Sequence, residues 1–396
     1  MEKKIKKLIS GYENIYIYGF GTAGKWLSGN LGKNIVGFID SDIKKVGKIF
    51  SGFKVYSLEQ AKKIIKKDSL VITTVLDIQD VISKLESLPN DKWVALGNYL
   101  KNTKVKNNPI DSEDDSYVEY SLKAVESCHK SYFSKNKLFL KSIDIIITER
   151  CSLKCKDCSN LMQYYKKPIN ISSQEILDNF DDLIRNVDHV YEVRLIGGEP
   201  FMNKDIYKII EKISSQEKIT KVVVYTNATI PLKKEEIKTL MNPKIVFSIT
   251  DYGNLSRNTK KVIDFLSANN IPFRDHPPEN WTDCGVIFDF KRTLPEMEKL
   301  FTDCCGKNLL TLTDGKLYRC PFAANADRLK GIPLDEGNSV SVNAKRNKIK
   351  KYTSDIKFIP ACNYCMGRSY DAPKIEPAIQ TKKPIDYKVY DSNVIK

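Results

Sequence analysis

Short apolar runs recur along the chain, spaced so that one amphipathic helix fits between each pair. Asn14–Tyr18 (NIYIY), Asn34–Ile39, Ser69–Val75 and Trp93–Gly97 read as strands alternating with helices up to residue 105. After a break the alternation resumes. Ser142–Thr148 (SIDIIIT), Tyr191–Ile196, Lys221–Tyr225, Lys244–Ser248 and Ile271–His276 read as strands, and Ser173–Asn186 as a helix. Repeated strand, loop and helix predict an α/β protein built on parallel sheets, with functional loops at the carboxyl ends of the strands. Residues 106–138 show no clear periodicity and carry the acidic patch Asp111–Asp115, which predicts a solvated linker. Asn308–Leu312 and Lys316–Tyr318 read as a hairpin turned at Asp314-Gly315. From residue 372 to 396 the chain is rich in proline and lysine and predicts an irregular surface strap.

The first strand leads directly into Gly19-Phe-Gly21-Thr-Ala-Gly24, which opens a helix, and the second strand ends at Asp40. That is the G-x-G-x-x-G context of a Rossmann-like sheet. The glycines permit a tight turn and close approach of a phosphate, and the carboxylate is placed to accept ribose hydroxyls. A turn kept for packing alone reads the same way. The expected domain, 1–105, has scarcely room for both halves of a dinucleotide site. It resembles the small Rossmann-like domains of sugar-modifying proteins in bacterial polysaccharide pathways, some of which hold a nucleotide-sugar.

Composition changes this picture little. Lys plus Arg exceed Asp plus Glu by 64 to 49, a net charge of +15, but lysines are spread over nearly every segment instead of forming one stripe. A nucleic-acid partner is therefore not expected. No apolar run approaches the roughly eighteen residues of a membrane span, and Met1–Ser10 lacks the apolar block of a signal peptide, so a cytoplasmic location is expected. Of the ten cysteines nine lie after residue 150, eight of them in groups with metal-like spacing, which suits a reducing compartment.

Cys151-Ser-Leu-Lys-Cys155-Lys-Asp-Cys158 brings three thiols within eight residues. A compact loop of this kind wraps a metal centre. Three thiolates can hold three irons of a four-iron cube and leave the fourth iron open to chemistry. A structural zinc site needs a fourth ligand, and no histidine or further cysteine lies near. C-x-x-x-C-x-x-C after a strand resembles the cluster loop of the radical S-adenosylmethionine superfamily. The resemblance implies a [4Fe-4S] cluster whose open iron binds S-adenosylmethionine and whose electron yields a 5'-deoxyadenosyl radical. The family usually places an aromatic residue before the last cysteine to cover the adenine; here that residue is Asp157.

The second strand of the central region ends in Gly197-Gly198-Glu199-Pro200. Glycines admit close backbone approach and a carboxylate offers charge-assisted hydrogen bonds to an ammonium. The resemblance implies that this segment receives the amino group of S-adenosylmethionine. It carries the same implication, as cofactor contacts, to Thr226 and Asn227 after the third strand and to Ser248 on the fourth; turn or cap residues are the alternative. Arg274, Asp275 and His276 on the fifth are substrate-contact candidates at a barrel mouth.

Cys304, Cys305, Cys320, Cys362 and Cys365 form a second constellation. The hairpin brings a cysteine before it and Cys320 after it together, and Cys362-Asn-Tyr-Cys365 adds a close pair. Four ligands result once either Cys304 or Cys305 is left out, and spacing alone suits zinc as well as a cluster. C-x9-G-x4-C from Cys305 through Gly315 to Cys320, followed by CxxC, resembles the twitch form of the SPASM extension, which implies one auxiliary [4Fe-4S] cluster.

The expected organisation is an α/β chain with a Rossmann-like domain over 1–105, a linker over 106–138, a partial (β/α)6 radical SAM barrel over 139–300, a twitch-like cluster domain over 301–371 and a tail. The expected activity is radical oxidation or rearrangement of a sugar or nucleotide-linked sugar, fed by an electron donor such as flavodoxin or ferredoxin. Maturation of a ribosomal peptide and a non-catalytic electron-transfer module are the rival readings. Against the first stands the absence of a winged-helix pattern at the amino terminus; against the second stand GGEP and the open triplet.

Overall fold

The computed structural model describes residues 2–31, 34–78, 81–101, 104–105, 107–113, 115–134, 137–277, 280–369 and 372–390. The chain divides into two compact units, Met1–Phe139 and Leu140–Lys396.

In the first unit α1 (Glu2–Ile9) precedes β1 (Ile15–Tyr18), α2 (Thr22–Leu31) and β2 (Ile35–Ile39). The hairpin β3 (Ile49–Phe50) and β4 (Phe53–Tyr56) follows, then α3 (Leu58–Ile64), β5 (Leu70–Thr73), α4 (Ile82–Glu86), β6 (Lys92–Ala95) and α5 (Asp115–Tyr132). The sheet order is β3-β4-β2-β1-β5-β6, parallel throughout except for β3. Every residue of β1 and β5 is buried, as central parallel strands covered on both faces require. Strand order reverses at β1 and β5, and the glycine turn after β1 lies at that switch point.

The expected linker over 106–138 is corrected here. Most of it is α5, whose Val118, Leu122, Val125 and His129 are buried at helical spacing, and the first three join the core around Trp26 and Phe38. Each such apolar side chain stabilises the unit by about 1.5–3 kcal/mol. Of the acidic residues that suggested solvation, Asp111 and Glu113 lie before the helix and Asp115 in its first turn.

The second unit opens with β7 (Phe139–Thr148), α6 (Ser173–Asn186), β8 (His189–Gly197), α7 (Ile206–Ser214), β9 (Ile219–Thr226), α8 (Ile237–Leu240), β10 (Ile245–Thr250), α9 (Thr259–Ala268) and β11 (Phe273–His276). Then come β12 (Trp281–Thr282), α10 (Leu294–Asp303), β13 (Leu310–Thr313), β14 (Lys316–Tyr318), α11 (Pro321–Arg328), β15 (Ser339–Ser341), α12 (Arg346–Ser354) and β16 (Lys374–Ile375). One sheet runs β11-β10-β9-β8-β7-β13-β14-β15. Helices form where the pattern and caps agree. In α6 Ser172 accepts the Glu175 N–H as N-cap, while Ile176, Leu177, Phe180, Leu183 and Ile184 supply the buried face.

The α/β class with parallel sheets stands as expected. Among the described residues β8 to β11 pair in parallel in chain order, but β13 pairs in parallel with β7 instead of following β11. Residue 301 therefore marks no break in the sheet: β13 to β15 extend it by an antiparallel turn-back. The tail over 372–390 is anchored by β16 against β12 and by a backbone bridge from Gln380 to Cys155. No helix among the described residues is long and apolar enough to cross a membrane.

Candidate functional site

β7, buried from Leu140 to Thr148 except at Lys141, delivers the chain to the cysteine loop. Cys151, Cys155 and Cys158 line one cleft of about 210 Å³ together with residues 197–200, Tyr225, Thr226, Asn227, Thr250, Tyr252 and Trp281. Amide donors face two of the sulfurs: Asn227 Nδ2 lies 3.7 Å from Cys151 Sγ and Gln380 Nε2 lies 3.3 Å from Cys155 Sγ. Burial pushes all three thiols up, Cys155 to about 11. Deprotonation of such a trio at neutral pH calls for a metal to take the charge. Among the described residues no three Cys, His, Asp or Glu side chains converge on the position of a single metal ion.

The glycines after β8 act on the loop itself. Gly197 has φ +154°, and a Cβ there would overlap Thr148 O; at Gly198 it would overlap Arg150 O and sit 2.8 Å from Cys151 Cβ. Gly198 N–H donates to Thr148 O (3.0 Å) and Glu199 N–H to Arg150 O (2.9 Å). The pair therefore lets the end of β8 lie directly against the cysteine loop. Glu199 is fully buried and accepts from Phe201 N (3.2 Å), Thr226 Oγ1 (3.0 Å) and Asn227 N (2.8 Å). Burial raises its carboxyl to about 7, opposed by those three donors. Pro200 opens the 3-10 turn that follows.

The other expected contacts divide. Thr226 and Asn227 line the cleft; Ser248 is buried on β10 and Thr250, two residues on and on the same face, lines it instead. Asp157 is half-buried and outside the lining, its carbonyl packed on Gly285, where a Cβ would come within 2.8 Å. Arg274, Asp275 and His276 are exposed on the edge strand β11, outside the cleft lining. The sequence motifs do not point to Tyr252 or Trp281. Their rings meet edge-on at 6.0 Å in the cleft wall, Tyr252 just past the end of β10 and Trp281 in β12. Position after a strand end was a signal for Tyr252; Trp281 offered none. Arg194, 6.0 Å from the ring of the cleft-lining Tyr225, pairs with the buried Asp144, whose carboxyl burial raises to about 6 despite the guanidinium. Arg328 of α11 pairs with the buried Glu149 at 2.7 Å, tying the start of the loop to the carboxyl-terminal region.

The second cysteine group is built from element ends. Cys304 is the C-cap of α10, Cys320 is the N-cap of α11, Cys362 lies in a 3-10 turn and Cys365 just past it, and the carbonyls of Cys362 and Cys365 both accept from Arg292 Nη1 at 2.7 Å. Backbone N–H groups face three of these sulfurs: Gly306 to Cys304 (3.3 Å), Ala323 to Cys320 (3.5 Å) and Gly367 to Cys365 (3.2 Å). Burial raises Cys362 to about 11 and Cys320 to about 12; Cys304 adds to both shifts and to that of Cys365. Cys305 is exposed, and its N–H donates to Arg368 O at 2.8 Å. Cys304 thus neighbours Cys320, Cys362 and Cys365, whereas Cys305 is turned to the surface.

In the first unit Gly19 has φ +111°, and a Cβ on Gly24 would overlap Gly19 O, so both serve the turn-to-helix packing; Gly21 faces open space. Asp40 accepts from Phe20 N (2.8 Å), Asp42 N (2.9 Å) and Lys45 Nζ (3.2 Å). Its carboxylate holds the glycine turn in place.

The radical SAM superfamily profile matches residues 145–257. GTP 3',8-cyclase of Clostridium acetobutylicum is 34% identical over 281 residues, 63% of this chain and 84% of that protein. GTP 3',8-cyclase of Clostridium botulinum is 22% identical over 284 residues, 62% of this chain and 83% of that one. The match to GTP 3',8-cyclase of Campylobacter lari, 34% identical over 101 residues, spans 24% of this chain and 29% of that protein. Among solved structures, BtrN in complex with AdoMet and 2-DOIA aligns at 15% identity and TM-score 0.40 over 63% of this chain and 99% of that one. SuiB of Streptococcus suis bound to S-adenosylmethionine aligns at 18% identity and TM-score 0.30 over 50% of this chain and 44% of that one.

Proposed function

This chain belongs to the radical SAM superfamily, and from that premise we propose that it oxidises or rearranges a sugar or nucleotide-linked sugar at a hydroxyl-bearing carbon. The observation that carries the reading is that the three cysteines of one loop share a cleft with the Glu199, Thr226 and Asn227 network, while four more cysteines gather on the same unit. Three thiols, Cys155 buried and Cys151 and Cys158 half-buried, with amide donors aimed at two of the sulfurs fit an iron-sulfur group. When bound, that cluster and S-adenosylmethionine supply a carbon radical able to take hydrogen from a substrate.

Cys151, Cys155 and Cys158 would hold the cluster with the open iron. Gly198, Glu199, Thr226 and Asn227 would receive S-adenosylmethionine, the carboxylate of Glu199 meeting its ammonium. Tyr252 and Trp281 supply the apolar wall that Asp157 does not. Cys304, Cys320, Cys362 and Cys365 would hold an auxiliary cluster, the electron acceptor of a dehydrogenase. In the first unit, Gly21 faces open space at a switch point, which supports a nucleotide-sugar there, with Gly19, Gly24 and Asp40 shaping the turn. Flavodoxin or ferredoxin would supply the reducing electron.

The relatives named GTP 3',8-cyclase favour a second reading, rearrangement of a guanosine nucleotide by the same radical. Anaerobically reconstituted protein, reduced and given S-adenosylmethionine with nucleotide-sugars or GTP in turn, separates the two. We expect 5'-deoxyadenosine in stoichiometric amounts with a nucleotide-sugar and only background with GTP. The converse selects the cyclase-like reading, and no 5'-deoxyadenosine with either, while a known superfamily enzyme produces it alongside, removes both.

A further inference from the structure

Cys155 is covered by a segment more than two hundred residues away in sequence. Lys156 N–H donates to Ile379 O and Thr381 N–H to Lys154 O, both at 2.7 Å, so residues 379–381 pair as a short antiparallel strand with residues 154–156. Ala378, at φ +58° and 6% exposed, turns into the loop and packs against Leu153 and Cys155. Between these backbone contacts sits the side chain of Gln380.

The orientation of that amide is settled by its partners. Lys154 N–H can only donate, so the oxygen, Oε1, faces it at 2.7 Å. One N–H of Nε2 then returns to the strap's own Ala378 O at 2.6 Å, and the other points to Cys155 Sγ at 3.3 Å. A single side chain thus fixes the backbone before Cys155, fixes the strap, and offers the sulfur a donor.

We infer that Gln380 is a positioning residue of the cysteine loop: it sets the place of Cys155 and, through its N–H, makes the group bound there easier to reduce. The inference rests on the loop holding the cluster. A hydrogen bond to sulfur stabilises added negative charge, so it favours the reduced form, and such bonds are among the levers that set the potentials of iron-sulfur groups. The carboxyl-terminal strap then belongs to the cofactor site instead of merely lying over it.

Two full-length variants separate holding from tuning. Gln380→Glu keeps an oxygen for Lys154 N–H but removes the donor to sulfur; Gln380→Met removes both. In redox titrations followed by electron paramagnetic resonance, the signal perturbed by added S-adenosylmethionine should move to lower potential in both variants. The signal unaffected by S-adenosylmethionine should stay in place. In hydrogen exchange on the metal-free chain, the amides of Lys154, Lys156 and Thr381 should exchange at least tenfold faster in Gln380→Met and near the wild-type rate in Gln380→Glu. A Gln380→Met chain that folds by circular dichroism yet loses iron only from the triplet counts for the inference. Unchanged potentials in both variants, or unchanged exchange in Gln380→Met, overturn it. If the wild-type chain itself binds no iron at the triplet, the cluster reading fails separately, and the tuning half of the inference falls with it.

Discussion

The Glu199 carboxylate accepts the backbone N–H of Asn227 at 2.8 Å, locking the end of β8 to the end of β9 beside the cysteine loop. The same carboxylate takes Thr226 Oγ1, yet it still reaches the cleft. Burial leaves it titrating near 7, so below that pH it is largely a neutral acid and above it a carboxylate suited to an ammonium. S-adenosylmethionine should therefore bind more tightly as pH rises from 6 to 8. In Glu199→Gln, binding measured by equilibrium dialysis should weaken by about 10- to 100-fold and lose that pH dependence, consistent with about 1.5–3 kcal/mol for a hydrogen bond to a charged group. Equal affinity in variant and wild type would show that the ammonium sits elsewhere.

Cys304 and Cys305 provide a direct contrast between neighbours. If Cys304 completes the second group, wild-type protein reconstituted anaerobically should carry about eight irons per chain and Cys304→Ala about four. Cys305→Ala should stay near eight. Iron and sulfide analysis decides it, and the reverse pattern would return the role to Cys305.

Local spacing made much of this legible. The three cysteines, the glycines of 197–198 and the alternation of strands and helices are each contained within a few residues, so sequence alone carries their geometry. Gln380 is different: its meaning depends on a bridge to Cys155 that no local pattern encodes. Cys304 and Cys305 differ by one position, and only the end of α10 and the turn at Gly306 decide which sulfur faces inward. The helix α5 was hidden because Ser, Tyr and Glu interleave its buried Val118, Leu122 and Val125. Asp40 looked like a ribose contact because its position after β2 suits one, but its oxygens are taken by the N–H groups of Phe20 and Asp42 and by Lys45.

Gly198 and Gly21 should respond oppositely to one added methyl. At Gly198 the Cβ would overlap Arg150 O and press on Cys151 Cβ; at Gly21 it meets nothing within 4 Å. Gly198→Ala should displace the cysteine loop, lower iron content to about four per chain and cost about 1–3 kcal/mol in unfolding free energy. Gly21→Ala should unfold within about 0.5 kcal/mol of wild type. Urea titrations with iron analysis provide the comparison, and full iron retention in Gly198→Ala would mean that the loop can yield at that contact.

His129 gives the first unit a pH dependence of its own. Its ring is fully buried, Nδ1 accepts the Gly97 N–H at 2.9 Å, and Nε2 consequently carries the proton donated to Val75 O at 2.7 Å. Burial lowers its pKa from 6.5 to about 4, against the opposing pull of Val75 O. Between those values the unfolded chain takes up a proton that the folded chain does not, so stability falls as pH drops from about 6.5 toward 4. A shift of this size corresponds to at most about 3 kcal/mol. Urea unfolding followed by the fluorescence of Trp26 and Trp93 should show the midpoint declining from pH 7 to pH 5. His129→Leu leaves Gly97 N–H and Val75 O unpaired, so it should be less stable at pH 7 by about 2–4 kcal/mol, with a shallower decline on acidification. Parallel declines in the two proteins would place the acid sensitivity on other groups and assign His129 a packing role against Gly97, where a Cβ would come within 2.6 Å of its own.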